Sequence, residues 1–264
     1  MQETSQVSVA PLMLRVYNQG CKGATAFFRN RPFLDEFFRL LTAEPANSYS
    51  ILVHASSIGA EPYSLAMWWL HKFRKPGVRL TIHATDINAN FLAMGRSGTY
   101  PLEVLNGMSS IERTWFDIAD KSISVSRSAK ELVKFLEPMS FLDENATKVY
   151  DAVLVMNALT YVTPQQQNLA IRNISRQTRY VLGLTAFHPD SIRRDLREND
   201  FAPHLNAIES IHSSWGDRLT NLPIDRSSAE YSWRLPPFDP NIPEADYRFC
   251  SLFTRSSTTE EVAN

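Results

Sequence analysis

The sequence predicts an α/β fold built on a mostly parallel sheet, and three observations carry that reading. The apolar run Ile51-Leu52-Val53 leads into residues 54–66, HASSIGAEPYSLA, where a tight loop gives way to a long helical pattern. A second apolar run ends on a carboxylate, Asp86. Strand, loop, helix and a strand closing on an acid is the order in which a parallel sheet builds a nucleotide pocket.

The elements follow in order. Residues 1–47 read as a short helical segment, because Phe27, Phe28, Leu34, Phe37, Phe38 and Leu41 fall near a 3.6-residue period, with Pro32 marking a break or a helix start. Core packing accounts for the aromatic stripe; Arg29 stands apart as a charge among aromatics. A strand is expected over 50–54, a helix over 60–74 ended by Lys75-Pro76-Gly77, and a second strand over 79–85. The next helix ends before Gly98, and 101–131 can hold a small β-subdomain. Strands follow at 133–137, 152–156 and 180–184, with a helix over 164–176 joining the last two. The tail is assigned a helix over 191–198 and strands over 206–212 and 247–254. Between those strands, 215–245 reads as an irregular lid or acceptor wall, with Trp215, Tyr231 and Trp233 either lining it or anchoring it to the core. Residues 255–264 carry no pattern.

Composition bounds the function. The chain has 264 residues, 44% hydrophobic and 21% charged, which suits one large core over 48–264. With 27 basic and 28 acidic residues there is no field for nucleic acid or an anionic membrane. Two cysteines give neither a disulfide framework nor a zinc site, so no metal is expected. No apolar run reaches the ~20 residues of a membrane span. The opening MQETSQVSVAPLML lacks a basic region before an apolar block, so a cytoplasmic protein without a signal peptide is expected.

The loop narrows the ligand. Ser56 and Ser57 can cap the helix and offer amide N–H groups, Gly59 lets the backbone approach closely, and Pro62 falls in the first helical turn. A dinucleotide turn wants three glycines against a pyrophosphate, and only one is present here. S-adenosylmethionine has no diphosphate and fits: its methionyl end over the loop, its ribose diol on Asp86. Asp86 could alternatively cap the helix that starts near Asn88.

TAFFR (25–29), IGAEPYSLAM (58–67), ATDIN (84–88), SGTY (97–100) and YDAVLVMNALTYV (150–162) together resemble, in order and spacing, the chemotaxis-receptor glutamate methyltransferase (CheR-type) family, over about residues 25–189. The resemblance implies a Rossmann-like class I methyltransferase fold: seven strands, mostly parallel, helices on both faces, a final antiparallel hairpin. It implies S-adenosyl-L-methionine as cofactor, held by Thr25, Arg29, Ala55, Ser57, Gly59, Glu61, Asp86, Ile87, Ser140, Phe141 and Asn157. It makes Arg29 and Tyr161 the reaction centre.

Four departures set this chain apart from the family pattern. Ala60 replaces the first of two glutamates and Ile58 a threonine; Met156 replaces an arginine; Ser140 replaces an asparagine; and only 24 residues precede Thr25, where the family has a basic helical domain. Losing an arginine removes a fixed fork of donors, so the donor site reads as kept and the acceptor site as changed. The expected activity is O-methylation of a carboxylate or hydroxyl on a small molecule, glycan or protein. A hydroxyl would need a base, for which His188 and His54 are the candidates. The other reading is a degenerate methyltransferase fold acting as a cofactor-binding or regulatory module.

Overall fold

Tyr150–Met156 is buried at all seven positions, as a central parallel strand covered on both faces must be. In the computed structural model, which describes residues 12–18, 21–145, 147–185, 189–216 and 237–255, this strand lies near the middle of a seven-stranded sheet. In chain order the sheet strands are β3 (Ser48–His54), β4 (Arg79–Ala84), β8 (Val133–Phe135), β9 (Tyr150–Met156), β10 (Thr178–Thr185), β11 (Phe201–Pro203) and β12 (Leu252–Arg255). Their spatial order is β11-β12-β10-β9-β3-β4-β8. β12 runs antiparallel to both neighbours and every other pairing is parallel. That is the expected α/β class, a Rossmann-like class I methyltransferase sheet with its final antiparallel strand.

The period-two alternation of the strands divides two cores between the faces. Ile51, Val53, Ile82, Ala152 and Leu154 pack with α1 (Arg31–Leu41) and α2 (Ala60–Trp68), where Phe33, Phe37, Phe38 and Trp69 fill the space. On the other face Leu52, Val153, Val155, Leu182 and Leu184 meet α6 (Pro164–Gln177) and α7 (Pro189–Glu198). Helix ends follow their sequence signals. Asn30 caps α1 by accepting from Phe33 N–H at 3.0 Å with Pro32 in the first turn. Thr163 and Gln166 close a capping box on α6. Helix α3 (Ala89–Ser97) stops at Gly98 in the left-handed conformation. Between α3 and β8 lies a three-stranded sheet, β5 (Thr99–Pro101), β6 (Phe116–Ile118) and β7 (Ser122–Val125), with the short helices α4 (Ser110–Arg113) and α5 (Arg127–Lys130).

The structure corrects four of the expectations. Among the described residues of 1–47 the helical reading holds only for α1: β1 (Leu14–Asn18) and β2 (Cys21–Thr25) form an antiparallel hairpin with Asn18 opposite Cys21. Burial along β1 alternates in the period of a strand, a signal the aromatic stripe further on overshadowed. The strand expected over 206–212 is helix α8 (Ile208–Gly216), whose Ile211, His212 and Trp215 recur at helical spacing and turn inward. Two β-branched isoleucines misled the reading. The segment 247–254 is split into α9 (Ala245–Phe249) and β12. The helix expected over 60–74 loosens into a π-turn from Trp69 to Phe73. The proposed lid begins with Trp215 docked in the core and ends at α9; Tyr231, Trp233 and His188 lie outside the described residues.

The hairpin crosses the loop after β3 at close range. A Cβ on Gly23 would stand 2.6 Å from Ser57 Oγ, 2.8 Å from Val16 Cγ2 and 3.0 Å from Phe91 Cε2. Gly23→Val is therefore expected to destabilise the protein by about 1–3 kcal/mol through overpacking, read as a drop in thermal midpoint. A midpoint equal to the wild type would show that the hairpin does not press on the loop.

Candidate active site

The strands β3, β4, β9 and β10 all end at one edge of the sheet, and the order reverses between β3 and β9, the crevice where open α/β sheets bind ligands. The first wall is the loop 55–59. Ala55 and Ser57 both hold φ near +50° and Gly59 +89°, backbone that non-glycine residues adopt only where the surroundings enforce it. Tyr100 from the small sheet donates its hydroxyl to Ile58 O at 2.7 Å, and Ser56 N–H donates to Thr85 O at 3.0 Å. The expected serine caps are absent: Gly59 is the N-cap of α2 and no side chain caps it. The serines instead present buried hydroxyls, neither of which has a hydrogen-bond partner among the described residues.

Asp86, just past β4, does not cap α3. Asn88 does that, accepting from the N–H groups of Asn90 and Phe91 at 3.0 and 3.2 Å. Asp86 faces the loop, where its Oδ2 accepts from Ser57 N–H and its Oδ1 from Asn88 N–H, both at 2.9 Å. Burial raises its pKa; the backbone hydrogen bonds from Asn88, Ser57 and Ile87 pull it back without cancelling the shift. Ile87 beside it is exposed, and Met139 N–H donates to Asp86 O at 3.2 Å, which brings the segment carrying Ser140 and Phe141 alongside Asp86. Phe141 meets the ring of His54 edge-on.

The third wall is built around Arg29. Asn157 follows β9 with φ +57°, its N–H donating to Thr185 Oγ1 at 2.7 Å. Its amide, assigned from the hydrogen-bond network, turns Oδ1 toward Arg29 and accepts from both Nη1 and Nη2 at 2.8 Å, while Nδ2 donates to Thr185 Oγ1 at 3.1 Å. The indole of Trp215 stacks against the guanidinium, 5.6 Å from Cζ to the ring centroid, and is anchored by its own N–H to Ser251 Oγ at 3.1 Å. Burial lowers the Arg29 pKa, and Glu61 in the first turn of α2, with Tyr161 behind it, opposes that shift, so the guanidinium stays a cation. Tyr161 closes a short 3₁₀ turn, Leu159–Tyr161, and is 65% exposed. Thr25 is buried at the end of β2.

Sequence reasoning missed Thr185 and Asn88, which orient Asn157 and Asp86. An asparagine after a strand is visible in the sequence, but its left-handed backbone and its Thr185 partner are not. Of the departures, Ala60 is fully buried and Met156 nearly so, and both pack in the core on the α1 and α2 face of the sheet. His54 is buried too, sharing a 3.0 Å hydrogen bond with Gln177, and burial lowers its pKa to about 4.

The CheR methyltransferase, SAM binding domain family profile matches residues 23–183, more than half of the chain. The chemotaxis protein methyltransferase of Vibrio parahaemolyticus serotype O3:K6 is 35% identical over 161 residues, 57% of this chain and 58% of that protein. The Escherichia coli K12 chemotaxis protein methyltransferase is 29% identical over 156 residues, 55% of this chain and 53% of its own. The chain thus spans a little over half the length of these curated relatives. Magnesium protoporphyrin IX methyltransferase from Synechocystis PCC 6803 with bound SAM overlays 65% of this chain and 68% of its own at a TM-score of 0.40 and 13% identity, too weak a likeness to add to the assignment. On the profile match, the chain belongs to the CheR methyltransferase SAM-binding domain family.

Proposed function

We propose that the protein is an S-adenosylmethionine-dependent O-methyltransferase whose acceptor is a carboxylate, on a protein side chain as the nearest case. The observation that carries this reading is a half-buried arginine, clamped by Asn157 and Trp215, beside a glycine loop tied to Asp86. The residues fit the donor. Buried serine hydroxyls, a loop whose Gly59 has no room for a Cβ (2.8 Å from Phe135 Cζ), and a carboxylate with acceptor capacity beyond its two N–H bonds match an aminoacyl end and a ribose diol. Asp86 would hold the diol, the loop 55–59 the methionyl end, and Ile87 and Phe141 the base.

When bound, the donor supplies a methyl group on a sulfonium, an already activated leaving group. What remains for the chain is alignment and exclusion of water. Arg29 holds the acceptor carboxylate as a fixed planar cation, and Tyr161 orients the second oxygen. A carboxylate acceptor so held would be the nucleophile toward that methyl group and would have no proton to lose. A hydroxyl acceptor would need a base; of the two candidates His54 is occupied by Gln177 and turned into the core, and His188 lies outside the described residues. A cytoplasmic location goes with this reading; among the described residues no helix is long and apolar enough to cross a membrane.

The test is methyl transfer from a tritiated donor to chemoreceptor-bearing vesicles and to a carboxylate-rich peptide pool, read as base-labile tritiated methanol. Label released by base supports a carboxyl ester; base-stable label sinks the carboxylate reading. Donor binding without transfer to either acceptor would favour the cofactor-binding module. Tyr161→Phe is expected to lower transfer about tenfold, the value of one hydrogen bond, with donor affinity unchanged. Wild-type turnover would remove Tyr161 from the mechanism.

A further inference from the structure

The segment that carries Arg29 is held from several sides, and the small subdomain holds it twice: the Phe27 ring meets those of Tyr100 and Phe116 edge-on, and Arg31 is gripped by Glu112. Phe28, at φ +47°, donates its N–H to Ser64 Oγ of α2 at 2.8 Å. Asn30 caps α1 and also donates Nδ2 to Ile211 O of α8 at 2.8 Å. Pro32 fixes the backbone one step further on. Arg31 reaches in the opposite direction. Its Nε and Nη2 donate to the two carboxylate oxygens of Glu112 at 2.6 and 2.8 Å, and Nη2 also donates to Gly107 O at 3.2 Å.

Glu112 is only 5% exposed although α4 is a single turn. It serves a capping box, accepting from Ser109 N–H at 2.7 Å, but a capping box alone works at a surface. A carboxylate is buried where a paired cation and further hydrogen bonds replace its hydration. Burial raises its pKa, and the Arg31 and Ser109 hydrogen bonds outweigh that and leave it below the ordinary glutamate value. The fork is two-ended, so it fixes direction as well as distance.

We infer that Glu112 is a positioning residue for Arg29: by gripping Arg31, two residues along, it fastens the start of α1 to the small subdomain and so helps set the direction of the Arg29 guanidinium. The catalytic meaning rests on the proposed carboxylate methylation; the mechanical coupling does not. A bridge that only fastened the small sheet would leave Arg29 undisturbed when cut.

The experiment reads the Nε–H signal of Arg29 in the ¹⁵N-labelled full chain, identified by its loss in Arg29→Lys. In Glu112→Ala and Glu112→Gln that signal is expected to shift or broaden, with donor affinity by calorimetry within about twofold of wild type because the Ser57 and Asn88 hydrogen bonds to Asp86 and the Tyr100 bond to Ile58 involve neither Arg31 nor Glu112. Arg31→Met should do the same, and Arg31→Met with Glu112→Gln should add nothing to either single change, the mark of two residues acting as one unit. An Arg29 signal unchanged in position and width in Glu112→Gln overturns the inference, and that variant keeps the side chain's size, so folding does not confuse the result. Because the signal needs neither donor nor acceptor, failure of methyl transfer in the wild type would count against the enzyme reading and leave this one standing.

Discussion

Asp86→Ala is expected to weaken binding of both S-adenosylmethionine and S-adenosylhomocysteine by on the order of 100-fold, with the protein still folded. The carboxylate has one role in the structure and a second on the proposed reading. It takes the N–H groups of Ser57 and Asn88 at 2.9 Å each, which holds the donor loop in its left-handed turn, and it presents charged oxygens where a ribose diol would sit. Hydrogen bonds to a charged group contribute about 1.5–3 kcal/mol each, so losing a diol contact alone accounts for that factor. Asp86→Asn keeps one acceptor oxygen and should fall between. The pH dependence has a definite sign. Burial raises the pKa of Asp86, so the free protein protonates it above the usual aspartate range, and the neutral form is the poorer diol acceptor. Affinity should therefore drop on acidification, beginning above the ordinary carboxylate range, and the drop should vanish in Asp86→Asn. Titration calorimetry across pH checks both parts. An Asp86→Ala protein with wild-type affinity would place the donor elsewhere.

Much of this site was legible because its parts are local in sequence. The strand–loop–helix around Gly59 and the acid after β4 are each written within a dozen residues, and their backbone requirements select recognisable residue types. Long-range pairings were not legible. Nothing in the composition of α8 says that Trp215 will stack on Arg29, or that Glu112 of a one-turn helix will be buried against Arg31. The hairpin Leu14–Thr25 and the helix Ile208–Gly216 were misread for one reason. In a short segment the apolar count is too small to separate period two from period 3.6, and local β-propensity or a neighbouring stripe takes over. Asn157 shows the middle case: its residue type was readable as a site member, yet its role as the brace of Arg29 needed Thr185 in space.

Arg29→Ala is expected to lower methyl transfer by about 10²–10³-fold, the cost of removing a preorganised charge from a water-excluded site. The arrangement shows why the charge is preorganised. Asn157 accepts from both terminal nitrogens, and its amide is in turn fixed by Thr185. Trp215 covers one face of the guanidinium, and Ser251 fixes the indole. Orientation is thus set before an acceptor arrives, and none of it has to be organised during the reaction. Arg29→Lys separates charge from shape. Lysine keeps the positive charge but has no planar fork to answer Asn157, so it should still lose most of the turnover. Donor affinity should stay close to wild type in both variants, because the diol contact belongs to Asp86. Stability should fall by about 1 kcal/mol in Arg29→Ala, since the Asn157 oxygen loses its donors in a half-buried place. A single-turnover assay with saturating donor, beside a denaturant melt, reads the two effects separately. If Arg29→Lys turned over at the wild-type rate, the arginine would be a point charge and its clamp incidental; if Arg29→Ala did so, the acceptor would be held by another group and the reaction centre would have to move.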